Sequence, residues 1–342
     1  MGEKPRVMIA GIAGASLGTE LFKCLALAKR YEIFGCDISP YAYGHYQKGF
    51  KKTFVVSEEN YVDSVVSVCK KNAIDFLVPG GEQPMVLLGR DEHLLRENGI
   101  RFVGNSADII QNYSDKKTTF HQLHTMGFKI PKTLFGSGLT KSTEVPLPCI
   151  IKPETGSGGS NFVFLASTTE EVKLYLRYLK LNKRDALVQE YIPVTEGEFT
   201  VGVLSLPNET VAYSIALRRT FNSKLSIAQQ NNVGLISSGY TQGYIDTFPT
   251  ICSIAEKMAE TIGSRGPLNI QGRMRDGTFI PFEINPRFSA STYLRALAGI
   301  NEIDIFLQFL LTGKLESVGP IRPGYYLRSF DETVVEINEV KK

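Results

Sequence analysis

The segment FEINPRFS, Phe282 to Ser289, sets an acid, an amide and a guanidinium at every second position: Glu283, Asn285 and Arg287. In a β-strand that spacing puts all three on one face, with Phe282 and Ile284 on the other. The segment before it, PLNIQGRMR, has apolar Leu268, Ile270 and Met274 at even positions, as Ile280, Phe282 and Ile284 are in the second. Both segments are therefore expected to pair as a hairpin with even positions turned to the core. Cross-strand partners share a face, so paired residue numbers must sum to an even number. That parity predicts a three-residue loop, Arg275-Asp276-Gly277, with Gly277 left-handed. Gln271, Arg273, Glu283, Asn285 and Arg287 then share one polar face. Hard oxygen ligands with few carboxylates suit Mg²⁺, which completes its shell with water and phosphate. Arg287, at the end of the row, would meet phosphate or carboxylate oxygens. A solvated sheet face with a surface ion pair fits the same pattern, although Asn and Gln are poor strand formers and favour function.

A second stretch could hold phosphates. Lys152 ends the strand CIIK, and Thr155, Gly156, Ser157, Gly158, Gly159 and Ser160 follow. Glycines there let backbone N–H groups approach phosphate oxygens closely. The stretch lacks Gly-x-x-x-x-Gly-Lys-Ser/Thr, so it is not a P-loop, and an ordinary hairpin turn has the same composition.

Strands and helices must position these groups. Residues 7–12, the stretch ending in Asp37, IDFLVPGG and IRFVG read as strands, with helices after Gly18, around Val62–Cys69 and over 86–98 between them. That alternation predicts a doubly wound α/β unit over about residues 1–105. Its first turn, with glycines at 11, 14 and 18 and Asp37 further on, invites a dinucleotide reading, but Ala13 takes the place of the close-approach glycine. Residues 106–128 predict one helix. Further on, strands are expected at CIIK, FVFLA, ALVQE and on both sides of Pro207-Asn208, then helices over 248–262 and 290–312. No internal repeat appears.

The chain's 342 residues suit two or three domains, and 43% hydrophobic content with 21% charged residues describes a globular protein. A net charge of +3 without a basic block gives no reason to expect nucleic acid or an anionic membrane as partner. No apolar run approaches a membrane span, and Met1–Arg6 is too short and polar for a signal peptide. Five scattered cysteines, Cys24, Cys36, Cys69, Cys149 and Cys252, fit reduced thiols of a cytoplasmic protein. His121 and His124 share a helix face but lack a third ligand.

Together, GPLNIQGR…FEINPRFS and IIKPETGSGGSNF resemble the ATP-grasp superfamily, and within it the synthetase domains of the carbamoyl phosphate synthetase large subunit. The resemblance runs over roughly residues 7 to 315. It implies an α/β N-terminal domain with a small parallel sheet, followed by an α+β ATP-grasp fold with antiparallel sheets. The expected divisions are 1–105 (pre-ATP-grasp, Rossmann-like), 106–190 (lid), 191–318 (catalytic) and 319–342 (C-terminal extension). Lys116 and Lys152 would touch ATP phosphates, under a lid formed by residues 155–160. Gln189, Glu190 and Ile192 would line the adenine, and Glu198 would hold the ribose hydroxyls. Gln271, Glu283 and Asn285 would bind two Mg²⁺, with Mn²⁺ able to substitute and Glu283 bridging. Arg287 would stabilise the transferring phosphoryl group, so that Lys152, Glu283 and Arg287 form the catalytic set. Arg218, Arg219 and Arg295 are the candidates for holding the reacting carboxylate.

Carbamoyl phosphate synthesis uses two such halves, and this chain has one. The implied activity is therefore a stand-alone carboxylate–amine ligase acting through an acyl phosphate, with small carboxylate and amine substrates such as amino acids and a homodimer left open. Phosphorylation of bicarbonate or carbamate is the alternative. A nicotinamide oxidoreductase or a non-catalytic binding module are further readings of the sequence.

Overall fold

The computed structural model describes residues 3–136, 144–155 and 160–341. The chain opens with β1 (Arg6–Ala10), α1 (Leu17–Ala28), β2 (Glu32–Asp37), β3 (Lys52–Val55), α2 (Tyr61–Lys71), β4 (Phe76–Pro79), α3 (Glu82–Arg90), α4 (Glu92–Glu97) and β5 (Arg101–Phe102). These strands form one parallel sheet in the order β3-β2-β1-β4-β5. A parallel sheet covered on both faces needs strands that are apolar throughout, and Val7, Met8, Ile9 and Ala10 are all fully buried. Val7 and Ile9 pack with Leu21 and Leu25 of α1, while Met8 and Ala10 pack with Val65 and Cys69 of α2. Strand alternation thus sends successive side chains into two layers. The helix expected over 86–98 is divided at Asp91 into α3 and α4.

The single helix expected over 106–128 is also divided. α5 (Ala107–Ser114) ends where Asp115 turns extended, and α6 (Lys116–Thr125) begins with Asp115 accepting the Thr118 N–H at 2.7 Å. An aspartate side chain that satisfies a free helix N–H favours a new start over continuation. The next sheet is antiparallel in the order β6-β9-β7-β8: β6 (Thr133–Phe135), β7 (Cys149–Pro153), β8 (Phe164–Ala166) and β9 (Ala186–Glu190). α7 (Thr169–Leu181) covers it with Val172 and Leu179, starting from a Thr168/Glu171 capping box.

The third large sheet has the order β16-β15-β10-β11-β14-β17. It comprises β10 (Glu198–Ser205), β11 (Val211–Arg219), β14 (Gly243–Asp246), β15 (Pro267–Arg275), β16 (Thr278–Asn285) and β17 (Gly324–Tyr326), and its paired strands are antiparallel. β12 (Ile227–Gln230) and β13 (Leu235–Ser237) form a separate ribbon. α8 (Pro249–Thr261) packs on one face of the large sheet through Ala255 and Met258. α9 (Thr292–Leu297) and α10 (Glu302–Thr312) lie in the cluster that also contains α1 and β1. The front sheet and the large sheet therefore share a continuous apolar core.

The β15–β16 turn departs from the parity argument. Arg275 pairs with Thr278, leaving a two-residue loop in which Asp276 and Gly277 have φ of 52° and 68°. Positive φ at both positions is the geometry that Asp-Gly favours in a tight hairpin. Parity is restored further along: Gly272 pairs with Pro281 but Gln271 pairs with Glu283, so Phe282 is an extra residue. This bulge is what an argument from a regular ladder omits. Beyond it, Gln271 still faces Glu283, and Asn269 faces Asn285.

Candidate active site

A cavity of about 390 Å³ lies between the β7–β9 sheet, the large sheet and the carboxyl ends of the parallel strands. Lys152, Gln189, Gln271, Glu283 and Arg287 all line it. The chain brings them from four strands, β7, β9, β15 and β16, and the turn after β16. Lys152 is 5% exposed. Its Nζ donates to Gln189 Oε1 at 3.0 Å and to the Phe282 carbonyl at 3.1 Å. The bulged residue thus gives its carbonyl to the lysine, tying the smaller antiparallel sheet to the β15–β16 hairpin. Burial pushes the Lys152 ammonium down to about 7, against an opposing pull from Glu283, and Lys116 lowers it further.

Glu283 is partly exposed to the cavity. Burial alone would raise its pKa, yet the charges of Lys152 and Lys116, the Asn285 hydrogen bond and Arg287 hold it below the ordinary carboxylate range. Asn285 Nδ2 donates to Glu283 Oε1 at 3.0 Å, and Arg287 Nη2 donates to Asn285 Oδ1 at 3.4 Å. A second, smaller cavity of about 20 Å³ contains Lys116, Glu82, Glu283 and Asn285. Glu283 therefore stands between the two cavities, and the three proposed metal ligands meet there. One ionised carboxylate and two amides on rigid strands suit a hard cation that finds its other oxygens on phosphate. The donor set fits Mg²⁺. Among the described residues no cluster of three His, Cys, Asp or Glu is placed to hold a metal, and His121 and His124 are exposed.

The other expected residues divide. Lys116 opens α6 and acts electrostatically on both Lys152 and Glu283. Ser160 lines the cavity and donates to the Ser237 carbonyl at 2.7 Å, while Thr155 is exposed. Gly156, Ser157, Gly158 and Gly159 lie outside the described residues. Glu190 and Ile192 line the cavity, with the Glu190 carboxylate on Arg275 at 2.5 Å and the Ile192 carbonyl accepting from Arg273 at 2.6 Å.

Three expectations need correction. Glu198, implied as the ribose ligand, is fully buried behind the wall and bound to Arg273 Nε at 2.8 Å. Its other oxygen is 3.5 Å from Arg219 Nε, and neither of those two atoms has a hydrogen-bond partner among the described residues. Arg218 is exposed, because successive residues of β11 point to opposite faces, and Arg219 alone of that pair lines the cavity. Arg295 is fully buried away from the cavity lining. It binds Glu302 at 3.3 Å, Thr200 at 3.1 Å and Asn269 at 2.9 Å.

The sequence reading missed residues from the front sheet. Ser16, Gly80, Gly81 and Glu82 line the main cavity, and the Glu82 charge opposes the burial that lowers the Arg287 pKa. The rule that ligands sit beyond the carboxyl ends of parallel strands would have singled out the PGGE stretch after β4. The dinucleotide reading finds no support at the first turn. Asp37 Oδ2 accepts the Ile12 N–H at 2.8 Å and Oδ1 accepts the Ser39 N–H at 3.0 Å, so the carboxylate closes the turn on itself.

Known proteins agree with this architecture. Residues 182–333 match the family model described as ATP-grasp in the biosynthetic pathway with Ter operon. The carbamoyl phosphate synthase large chain of Clostridium botulinum is 24% identical over 258 residues, covering 73% of this chain and 23% of its own length. This chain thus spans about a quarter of the length of such relatives. Among solved structures, an L-amino acid ligase from Bacillus licheniformis superposes with a TM-score of 0.66 at 15% identity, covering 91% of this chain and 75% of that one. The biotin carboxylase domain of a Hydrogenobacter thermophilus 2-oxoglutarate carboxylase, in complex with MgADP and bicarbonate, gives 0.64 at 17% identity over 94% and 73%. Residues 182–333 thus match an ATP-grasp family model, and the α/β front sheet with two antiparallel sheets around one cavity gives the chain the fold of the ATP-grasp ligases it superposes on.

Proposed function

We propose that the chain is an ATP-dependent ligase that joins a small carboxylate to an amine, with amino acids as the leading substrate class. The observation that carries the reading is Lys152, held between Gln189 and the bulged hairpin that presents Gln271 and Glu283. Phosphate-binding and metal-binding groups thereby share one cavity. Gln271, Glu283 and Asn285 would hold Mg²⁺, and Mn²⁺ is proposed as a substitute. Bound there, the metal would neutralise charge on the phosphoryl oxygens.

The substrate carboxylate attacks the γ-phosphorus of ATP, the bond to the β-phosphate oxygen breaks, and ADP leaves with that electron pair. Lys116, Lys152 and Arg287 balance the spreading negative charge. The amine then attacks the acyl carbon of the acyl phosphate, inorganic phosphate departs, and the nitrogen gives up a proton. Gln189, Glu190 and Ile192 are assigned to the adenine end. Residues 155–160 are assigned as the lid that keeps water from the acyl phosphate. Arg219 is the remaining candidate for the carboxylate. The likeness to carbamoyl phosphate synthase chains favours bicarbonate phosphorylation as a second reading.

The test is Mg²⁺-dependent ADP and phosphate release, screened over pooled amino acids and other small carboxylates, each with and without an amine pool. Release that needs both pools supports the ligase, and release with bicarbonate alone supports the second reading. Glu283→Ala should remove turnover while thermal unfolding stays near that of the parent. Parent-level turnover in that folded variant would sink the metal assignment.

A further inference from the structure

The segment after α10 returns across the molecule. β17 pairs with β14, and Arg328 follows two residues later with its side chain 6% exposed. Its backbone N–H donates to Gln242 Oε1 at 3.1 Å, and its Nε donates to the Thr241 carbonyl at 3.3 Å. Nη2 donates to the Ala290 carbonyl, and to Glu20 Oε2 at 3.2 Å, while Nη1 lies 3.1 Å from Glu20 Oε1. Phe330 sets its ring edge-on to Tyr240 at 5.0 Å.

These partners have one thing in common. Tyr240, Thr241 and Ala290 line the main cavity, and Glu20 sits in the first turn of α1, beside Ser16 and Leu17 on the opposite wall. One guanidinium thus joins the front domain, the stretch after β13 and the turn after β16. Charge-assisted bonds to a carboxylate and two carbonyls fix those three segments in one arrangement. Arg328 touches none of the residues assigned to the nucleotide, Lys152, Gln189 and Ile192 among them, in the described residues.

We infer that the C-terminal segment is a clasp and that Arg328 is a positioning residue for the cavity end away from the nucleotide. Under the proposed ligase function, on which this clause rests, that end receives the carboxylate and the amine. Lys23 Nζ also lies 3.1 Å from Glu20 Oε1, so Arg328→Met should not leave a lone buried carboxylate.

The test compares the full-length parent with Arg328→Met and Glu20→Gln. Hydrogen exchange in Arg328→Met should rise about tenfold or more in 16–20, 240–242 and 288–292 while 149–153 and 186–190 hold. Affinity for a non-hydrolysable ATP analogue with Mg²⁺ should stay within about twofold, and KM for the carboxylate found in the screen should rise about tenfold with a smaller change in kcat. Glu20→Gln should speed exchange at 16–20 alone, because the carbonyl bonds of Arg328 remain, and it decides the matter if Arg328→Met fails to fold. Unchanged exchange, or a rise spread evenly through the chain, overturns the clasp. A parent that does not bind the nucleotide analogue overturns the ligase reading, while the exchange comparison still decides the clasp.

Discussion

Burial brings the titration of Lys152 close to neutral pH, where its charge responds to what enters the cavity. Its folded pKa of about 7 lies below the ordinary 10.5, so between those values the unfolded chain holds a proton that the folded chain releases. Stability from this group therefore rises with pH through that window, and below about 7 the buried charge carries its full desolvation cost. Phosphate oxygens favour the charged form. Nucleotide affinity should accordingly fall as pH rises above 7, and binding at pH 8 should take up close to one proton. Calorimetry in two buffers of different ionisation enthalpy measures that uptake, which Lys152→Met should remove. No uptake by the parent would mean that the lysine is already charged in the free protein. Glu283 and Gln271 were legible because alternating polar positions on two strands can be counted without coordinates. The roles of Glu198, Arg218 and Arg295 were not, since burial and strand facing decide whether a charged side chain meets the cavity or another chain segment.

At the scale of elements, glycine has a clear role in the turn from β1 into α1. A Cβ on Gly18 would lie 1.8 Å from the Gly11 carbonyl oxygen, and one on Gly80 would lie 2.0 Å from the same atom. Three backbone segments thus meet at one point, which accounts for the glycine-rich turn without a dinucleotide. Gly18→Ala should destabilise the protein by about 3 kcal/mol or more, and Gly319→Ala, with open space around it, should stay within about 0.5 kcal/mol. Denaturant unfolding of both variants checks the contrast. Strand and helix types in the front sheet were readable from period alone, but β3 was missed because Lys52–Val55 is short and mostly unburied at the sheet edge. α7 lay outside the sequence expectations although Thr168 and Glu171 form a readable capping box. The β15–β16 loop was misjudged because a bulge at Phe282, which depends on both strands and on Lys152, changes the parity.

Across the whole molecule, Arg295 shows how the β15–β16 hairpin is held from behind. It is fully buried and joins α9 to Glu302 of α10, to Thr200 of β10 and to Asn269 of β15. Gly202 leaves the room for it, since a Cβ there would lie 2.3 Å from Arg295 Nη1. Arg295→Met should cost roughly 3–5 kcal/mol by stranding the Glu302 charge, and adding Glu302→Gln should restore most of it. Urea unfolding of the single and double variants gives the coupling; a double variant as unstable as the single one would show that the charge is not the cause. The sequence by itself determined the α/β front end, the pairing of β15 with β16 and the shared polar face that carries Gln271, Glu283 and Asn285, because local period and residue type are written along the chain. Only the tertiary structure decided that Glu82 and Ser16 reach the same cavity, that Glu198 and Arg295 lie behind its walls, and that Arg328 fastens three of its segments. Those facts depend on which distant segments pack together, and that is set by burial and charge pairing summed over the whole fold rather than by any local pattern.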